Sequence, residues 1–216
     1  MEMEMALVER AMDLLGTTRL PWEEEGSGAW RHRLVNAPDG VGWEGPLRTY
    51  VERTWDKRYY LRDGDGDRYA YLHPNGICVL GFAPTHEAVV LARKAKGSQV
   101  CLEYNRKWDT TKEFQFAGKQ RKNAPILQEN TEVCNLRVGR KIFSVRCGVQ
   151  ARLLELNGKL VRGGEEAALW HQRPATEGWL AIVQLLCKPE EIVEATVSME
   201  EYVKEREDDL KGLFEP

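Results

Sequence analysis

Asp63-Gly64-Asp65-Gly66-Asp67 is the stretch of this 216-residue chain that comes nearest to a metal loop, because carboxylates at every second position can converge on one hard cation. A helix-loop-helix calcium site also needs glycine at the sixth position and glutamate at the twelfth, and those positions hold Arg68 and Pro74. The segment therefore reads as a turn. The four histidines, His32, His73, His86 and His171, stand far apart, with none of the H-x-H or H-E-x-x-H spacings that let one strand or helix face hold zinc. Only the fold could bring them together. His86 joins the candidate protein-binding residues because Thr85-His86 closes an apolar run over residues 77 to 83, although a hydrogen-bonded turn histidine is the competing reading.

Five cysteines, Cys78, Cys101, Cys134, Cys147 and Cys187, form no C-x-x-C pair, and their odd number and wide spacing predict reduced thiols in or near strands. That usage points to the cytosol or nucleus. Cys147, between Arg146 and Gly148, comes closest to the electropositive turn that activates a thiol, but period two groups it with Val145 and Val149 on a packed face. A G-x-S-x-G elbow, a P-loop and a dinucleotide glycine fingerprint are all missing, and Gly163-Gly164 stands alone as a turn. The expectation is a protein that is not an enzyme, with no catalytic residues, cofactor or metal.

Charge gives a second kind of candidate. The run from Lys112 to Lys122 contains Lys119, Arg121 and Lys122 with Phe114 and Phe116, and Arg106, Lys107 and Trp108 extend it. Such a patch suits an acidic protein face, and screening predicts that its binding weakens with salt. A solvated loop or edge strand is the plainer alternative. The whole chain carries 31 basic and 34 acidic residues, a net charge of −3, so no global field draws it to a phosphate backbone and direct nucleic-acid binding is not expected. No apolar stretch approaches the roughly 18 residues that cross a bilayer, and Met1-Glu2-Met3-Glu4 is too acidic for a transit or secretory peptide. A soluble, unprocessed protein is expected.

The elements that must position these residues follow from periodicity. Leu7, Ala11, Leu14 and Leu15 predict a short helix over residues 4 to 15 that stops at Gly16, and residues 16 to 46 read as an irregular arm with Trp22, Trp30 and Trp43 as docking points. Residues 47 to 60 fit an amphipathic helix leading into the main body. From Gly76 to about residue 187, short apolar runs (77 to 83, 99 to 104, 142 to 149, 152 to 156 and 179 to 186) alternate with turn residues, a β-rich core. Within it, Val145, Cys147, Val149, Ala151, Leu154 and Leu156 recur nearly every second position, and Asn157-Gly158 offers a turn. Trp179 is expected to pack where the last apolar strand opens. Ser198 three residues before Glu201 has the spacing of a capping box, which predicts a terminal helix over about 199 to 212. The division is an N-terminal arm, 1 to 46, and one domain, 47 to 216.

Taken together, EVCNLRVGRKIFSVRCGVQARLLELNGKLV and RPATEGWLAIV resemble the glycine-cleavage H-protein and lipoyl-domain hammerhead. With YVERTWDKRYY and HPNGICVLGFAPTHEAV they are similar to the Abitram family, also called Simiate or actin-binding transcription modulator. Gly118-Lys119 ahead of Ile126-Leu127, and Glu200 to Lys204, fall in matching places. The resemblance covers roughly residues 48 to 206. It departs at Ala151, where a glycine usually opens the turn, and the first 46 residues exceed the family's usual leader.

The resemblance implies a mainly β fold with flanking N-terminal and C-terminal helices, a barrel-sandwich hybrid of the lipoyl type. It implies a non-enzymatic interaction module that binds actin and modulates transcription, in nucleus and cytoplasm. An alternative is a co-factor in folding or assembling a cytosolic translation factor, with a chaperone or that factor as partner. A third reading is a lipoyl carrier: Gly139-Arg140-Lys141 is the candidate hairpin tip, with Arg140 where the family fold carries its modified lysine and Lys141 one place later, and a one-residue slip turns a side chain to the other face. Lys119, Arg121, Lys122, Arg140, Lys141 and His86 are the candidate protein-binding residues.

Overall fold

A computed structural model describes residues 54–61, 66–95, 100–108, 123–161 and 165–213. The expected helix over 4 to 15, the arm to residue 46 and most of the basic run lie outside the described residues. Among the described residues ten strands form two antiparallel sheets. β1 (Asp56–Tyr60), β2 (Arg68–Leu72) and β3 (Ile77–Phe82) make a meander, followed by helix α1 (Glu87–Lys94). β4 (Val100–Tyr104), β5 (Ile126–Leu127), β6 (Glu132–Val138), β7 (Lys141–Arg146) and β8 (Ala151–Leu156) come next. Two 3₁₀ turns and helix α2 (Leu169–Gln172) precede β9 (Ala181–Leu185); α3 (Pro189–Glu194), β10 (Val197–Ser198), α4 (Met199–Glu205) and α5 (Glu207–Gly212) end the domain. One sheet has seven strands in the order β10-β1-β2-β3-β9-β8-β5, and the other three in the order β4-β6-β7. The expected mainly β fold is what forms, with helices at its C-terminal end.

The main core lies between the sheets, where Phe82, Leu136, Leu153, Val183 and Trp170 are fully buried. A second cluster covers the opposite face of the meander: Tyr59, Tyr69 and Tyr71 meet Tyr202, Val203 and Leu210 of the terminal helices. Because β2 is sandwiched between the two clusters, all five of its residues are buried. Gly81 is required here, since a Cβ on it would come within 2.2 Å of the Tyr69 ring that lies across from it. That ring reaches over the sheet to donate its hydroxyl to the Pro174 carbonyl at 2.9 Å.

Several expectations are corrected. Residues 56 to 60, read as the end of an amphipathic helix, form β1, because their alternate side chains are buried and their backbone pairs with β2 on one side and β10 on the other. The core thus begins some twenty residues earlier than the apolar runs suggest. Asn157-Gly158 is no hairpin turn: a 3₁₀ helix, Gly158–Val161, follows Asn157, whose Nδ2 donates to the carbonyls of Glu177 and Trp179, both at 2.9 Å. Trp179 is only half-buried, whereas Trp170 is 0% exposed and is the core tryptophan. The step from Ala151 to Leu154 in the alternation has its cause in an irregular β8–β9 register between Leu153 and Glu155, which buries Leu153 and Leu154 in succession.

Candidate interaction site

The β6–β7 hairpin carries the candidate residues that the described structure places at the surface. Val138 pairs with Lys141, leaving Gly139 and Arg140 as a two-residue loop, and Gly139 takes φ +60° at the first central position while Arg140 keeps negative φ. That is the backbone pattern of a II′ turn, whose twist suits the strands it joins. Arg140 is exposed at the tip. Lys141 opens β7 instead of occupying the loop, and its ammonium donates to Glu87 Oε1 at 2.6 Å in the first turn of α1. Both partners are about half exposed, so the pair contributes little stability.

The other candidates separate from this hairpin. His86 is corrected as a surface residue: it is 0% exposed and caps α1, its Nδ1 accepting the Ala88 N–H at 3.1 Å. Its ring packs edge-on against Phe82 and Phe143, centroids 5.0 and 6.1 Å away, and fills the space a Cβ at Gly66 would need. Lys119, Arg121 and Lys122 lie outside the described residues. Arg106 and Lys107 are exposed after β4, but Trp108 is buried in the main core and does not extend a basic surface.

Thiol and carboxylate chemistry is drawn into the fold. Burial pushes the Cys78, Cys134 and Cys147 thiols up, Cys147 to about 11, so the thiolate is scarce at neutral pH. The void beside Tyr60, Arg68 and Cys147 measures about 10 Å³, room for one water at most. Arg68 reaches through this interior to donate to the Arg146 carbonyl and lies over the Tyr60 ring at 5.9 Å. Asp67, the last carboxylate of the acidic turn, accepts from Thr85 Oγ1 at 2.7 Å and from Arg206 Nε and Nη2 at 2.7 and 3.2 Å. Among the described residues no group of three His, Cys, Asp or Glu side chains stands close enough to hold a metal ion.

Sequence reasoning missed the outward face of the three-stranded sheet. Glu132 gathers three donors there: Asn105 Nδ2 at 3.2 Å, Asn135 Nδ2 at 3.0 Å and Ser144 Oγ at 2.7 Å. Arg146 pairs with it across the hairpin, and towards the tip the exposed Arg137 pairs with Ile142, itself 63% exposed, with Arg140 in the loop beyond. The signal was present, because the phase that turns Val145 inward leaves Ile142, Ser144 and Arg146 on the other face.

These features define a two-sheet β domain braced by C-terminal helices, with an ordered polar surface on its smaller sheet. No family model matches the chain. It is similar to the protein named Abitram from Dictyostelium discoideum, 26% identical over 168 residues that cover 74% of this chain and 89% of that protein. It is also similar to Abitram from Drosophila melanogaster, 26% identical over 171 residues, 79% of this chain and 75% of that protein. In three dimensions it is similar to a glycine cleavage system H protein from Mycobacterium marinum, at 15% identity and a TM-score of 0.44, covering 69% of this chain and 96% of that one. The resemblance to Abitram that the motifs carry thus extends over most of the chain.

Proposed function

We propose that this chain is a non-enzymatic protein-interaction module, an Abitram-like protein that binds actin and modulates transcription in nucleus and cytoplasm. The observation that carries the reading is its similarity to two Abitram proteins over about three quarters of its length. The use made of its chemistry-bearing side chains supports it: His86 caps a helix, Asp67 anchors Arg206, and the thiols of Cys78, Cys134 and Cys147 are buried and held protonated. Function is then carried by exposed side chains, which can differ between proteins of one fold. Cross-linking in cells followed by affinity purification tests the partner. Cross-links to actin are expected; enrichment of a translation elongation factor without actin overturns the reading in favour of a folding co-factor. Intact mass tests the remaining alternative, since a lipoyl adduct on Lys141 would make the protein a carrier.

A further inference from the structure

We propose that the free edge of β7 is a strand-addition site for an extended acidic segment of a partner protein. The proposal deepens the interaction-module reading and rests on it. Among the described residues β7 is the last strand of the three-stranded sheet and pairs with β6 alone. The two-residue loop makes Val138 and Lys141 the closing hydrogen-bonded pair, so the Ile142–Arg137 and Ser144–Asn135 pairs are the non-bonded ones. The N–H and C=O of Ile142 and Ser144 therefore point away from β6, along the open edge. At the far end of the strand the next outward carbonyl, that of Arg146, accepts from the Arg68 guanidinium, which closes the row there and leaves a two-residue docking stretch.

The side chains around this stretch choose the occupant. Ile142 is 63% exposed; Arg137 pairs with it across the hairpin, and Arg140 and Arg146 precede and follow it by two and four positions. Among the described residues no carboxylate forms an ion pair with any of these three arginines, while Lys141 is already paired with Glu87 and Glu132 is held by three donors. Basic side chains along an edge repel a second copy of the same edge, a known way of preventing self-association. The same charges favour a strand with carboxylates opposite the arginines and an apolar residue against Ile142. Strand addition supplies affinity through main-chain bonds, and alternate side chains supply choice of partner.

The test uses the full chain and a short synthetic strand peptide whose one face presents, at every second position, glutamate, valine, serine and glutamate to meet Arg140, Ile142, Ser144 and Arg146, with a counterpart carrying lysine in place of glutamate. Amide exchange read residue by residue is expected to show protection of Ile142 and Ser144 by the glutamate peptide alone, with affinity falling about tenfold or more in high salt. Ile142→Pro removes an outward N–H without touching the β6–β7 ladder, a substitution that edge strands tolerate, and is expected to abolish binding with the fold intact. Arg137→Glu combined with Arg140→Glu is expected to invert the preference towards the lysine peptide. Equal protection by both peptides, or binding that leaves the Ile142 and Ser144 amides unprotected, overturns the proposal. Actin cross-links that persist in Ile142→Pro also overturn it, by placing the partner elsewhere while the interaction-module reading stands.

Discussion

Arg206 grips Asp67 from 139 positions away in the chain, with Nε on Oδ2 at 2.7 Å and Nη2 on Oδ1 at 3.2 Å. The bond ties the start of β2 to the junction of α4 and α5, where Arg206 leaves helical geometry at φ −117°, ψ 23°. Thr85 joins both sides, its hydroxyl bonded to Asp67 Oδ2 at 2.7 Å and lying 2.8 Å from Tyr202 Oη. The C-terminal helices are fixed to the seven-stranded sheet by this cluster and by the tyrosines beneath it.

Asp67→Ala is expected to destabilise the domain by about 3 kcal/mol, because the Asp67 side chain is only 4% exposed and its loss leaves a largely buried guanidinium without its counter-charge. Urea unfolding of Asp67→Ala, Arg206→Ala and the double variant measures it. The double variant should cost less than the sum of the two.

Tyr202 stacks on Tyr59 with ring centroids 4.1 Å apart and planes 6° from parallel. Tyr202→Phe keeps the ring and loses only the hydroxyl's contacts with the Thr85 hydroxyl and N–H, an expected cost of about 1 kcal/mol. Tyr202→Ala also opens the second cluster and should cost about 3 to 5 kcal/mol. Thermal melts of the two variants separate the hydroxyl from the ring.

Trp170 is wholly enclosed, with its ring edge-on to Phe82 at 5.7 Å, while Trp179 is half-buried. Trp170→Ala is expected to cost about 3 to 5 kcal/mol and Trp179→Ala clearly less. Equal losses in denaturant unfolding would show that Trp179 shares the core after all.

His171 brings a pH dependence. Burial, and then the charge of Arg93, lowers its pKa from 6.5 to about 4, so in the folded protein the ring is neutral across a range where the unfolded chain binds a proton. Stability should therefore fall as pH drops from about 6.5 towards 4, and level off above that window. His171→Gln is expected to flatten this part of the profile, measured as unfolding midpoint against pH.

The parts of the fold written locally were legible in the sequence. Ser198 and Glu201 form the reciprocal cap their spacing predicts, with Ser198 N–H bonded to Glu201 Oε2 at 2.8 Å and Glu201 N–H to Ser198 Oγ at 3.2 Å. The Gly139-Arg140 tip is likewise where the glycine places it. β2 was hidden for a physical reason: a strand buried on both faces loses its period-two signature, and all of Arg68 to Leu72 is buried. The break at Arg206 and the burial of His86 depend on partners distant in sequence, which no local pattern encodes. The arginines and Ile142 on the outer sheet face were legible in phase, but their neighbourhood appears only when Arg137 and Ile142 are set side by side.

Co-sedimentation of the full chain with filamentous actin tests most directly whether this protein works by binding. Saturable pelleting with actin that weakens as salt rises is expected. Pelleting no greater than in the absence of filaments, at every salt concentration, would contradict it.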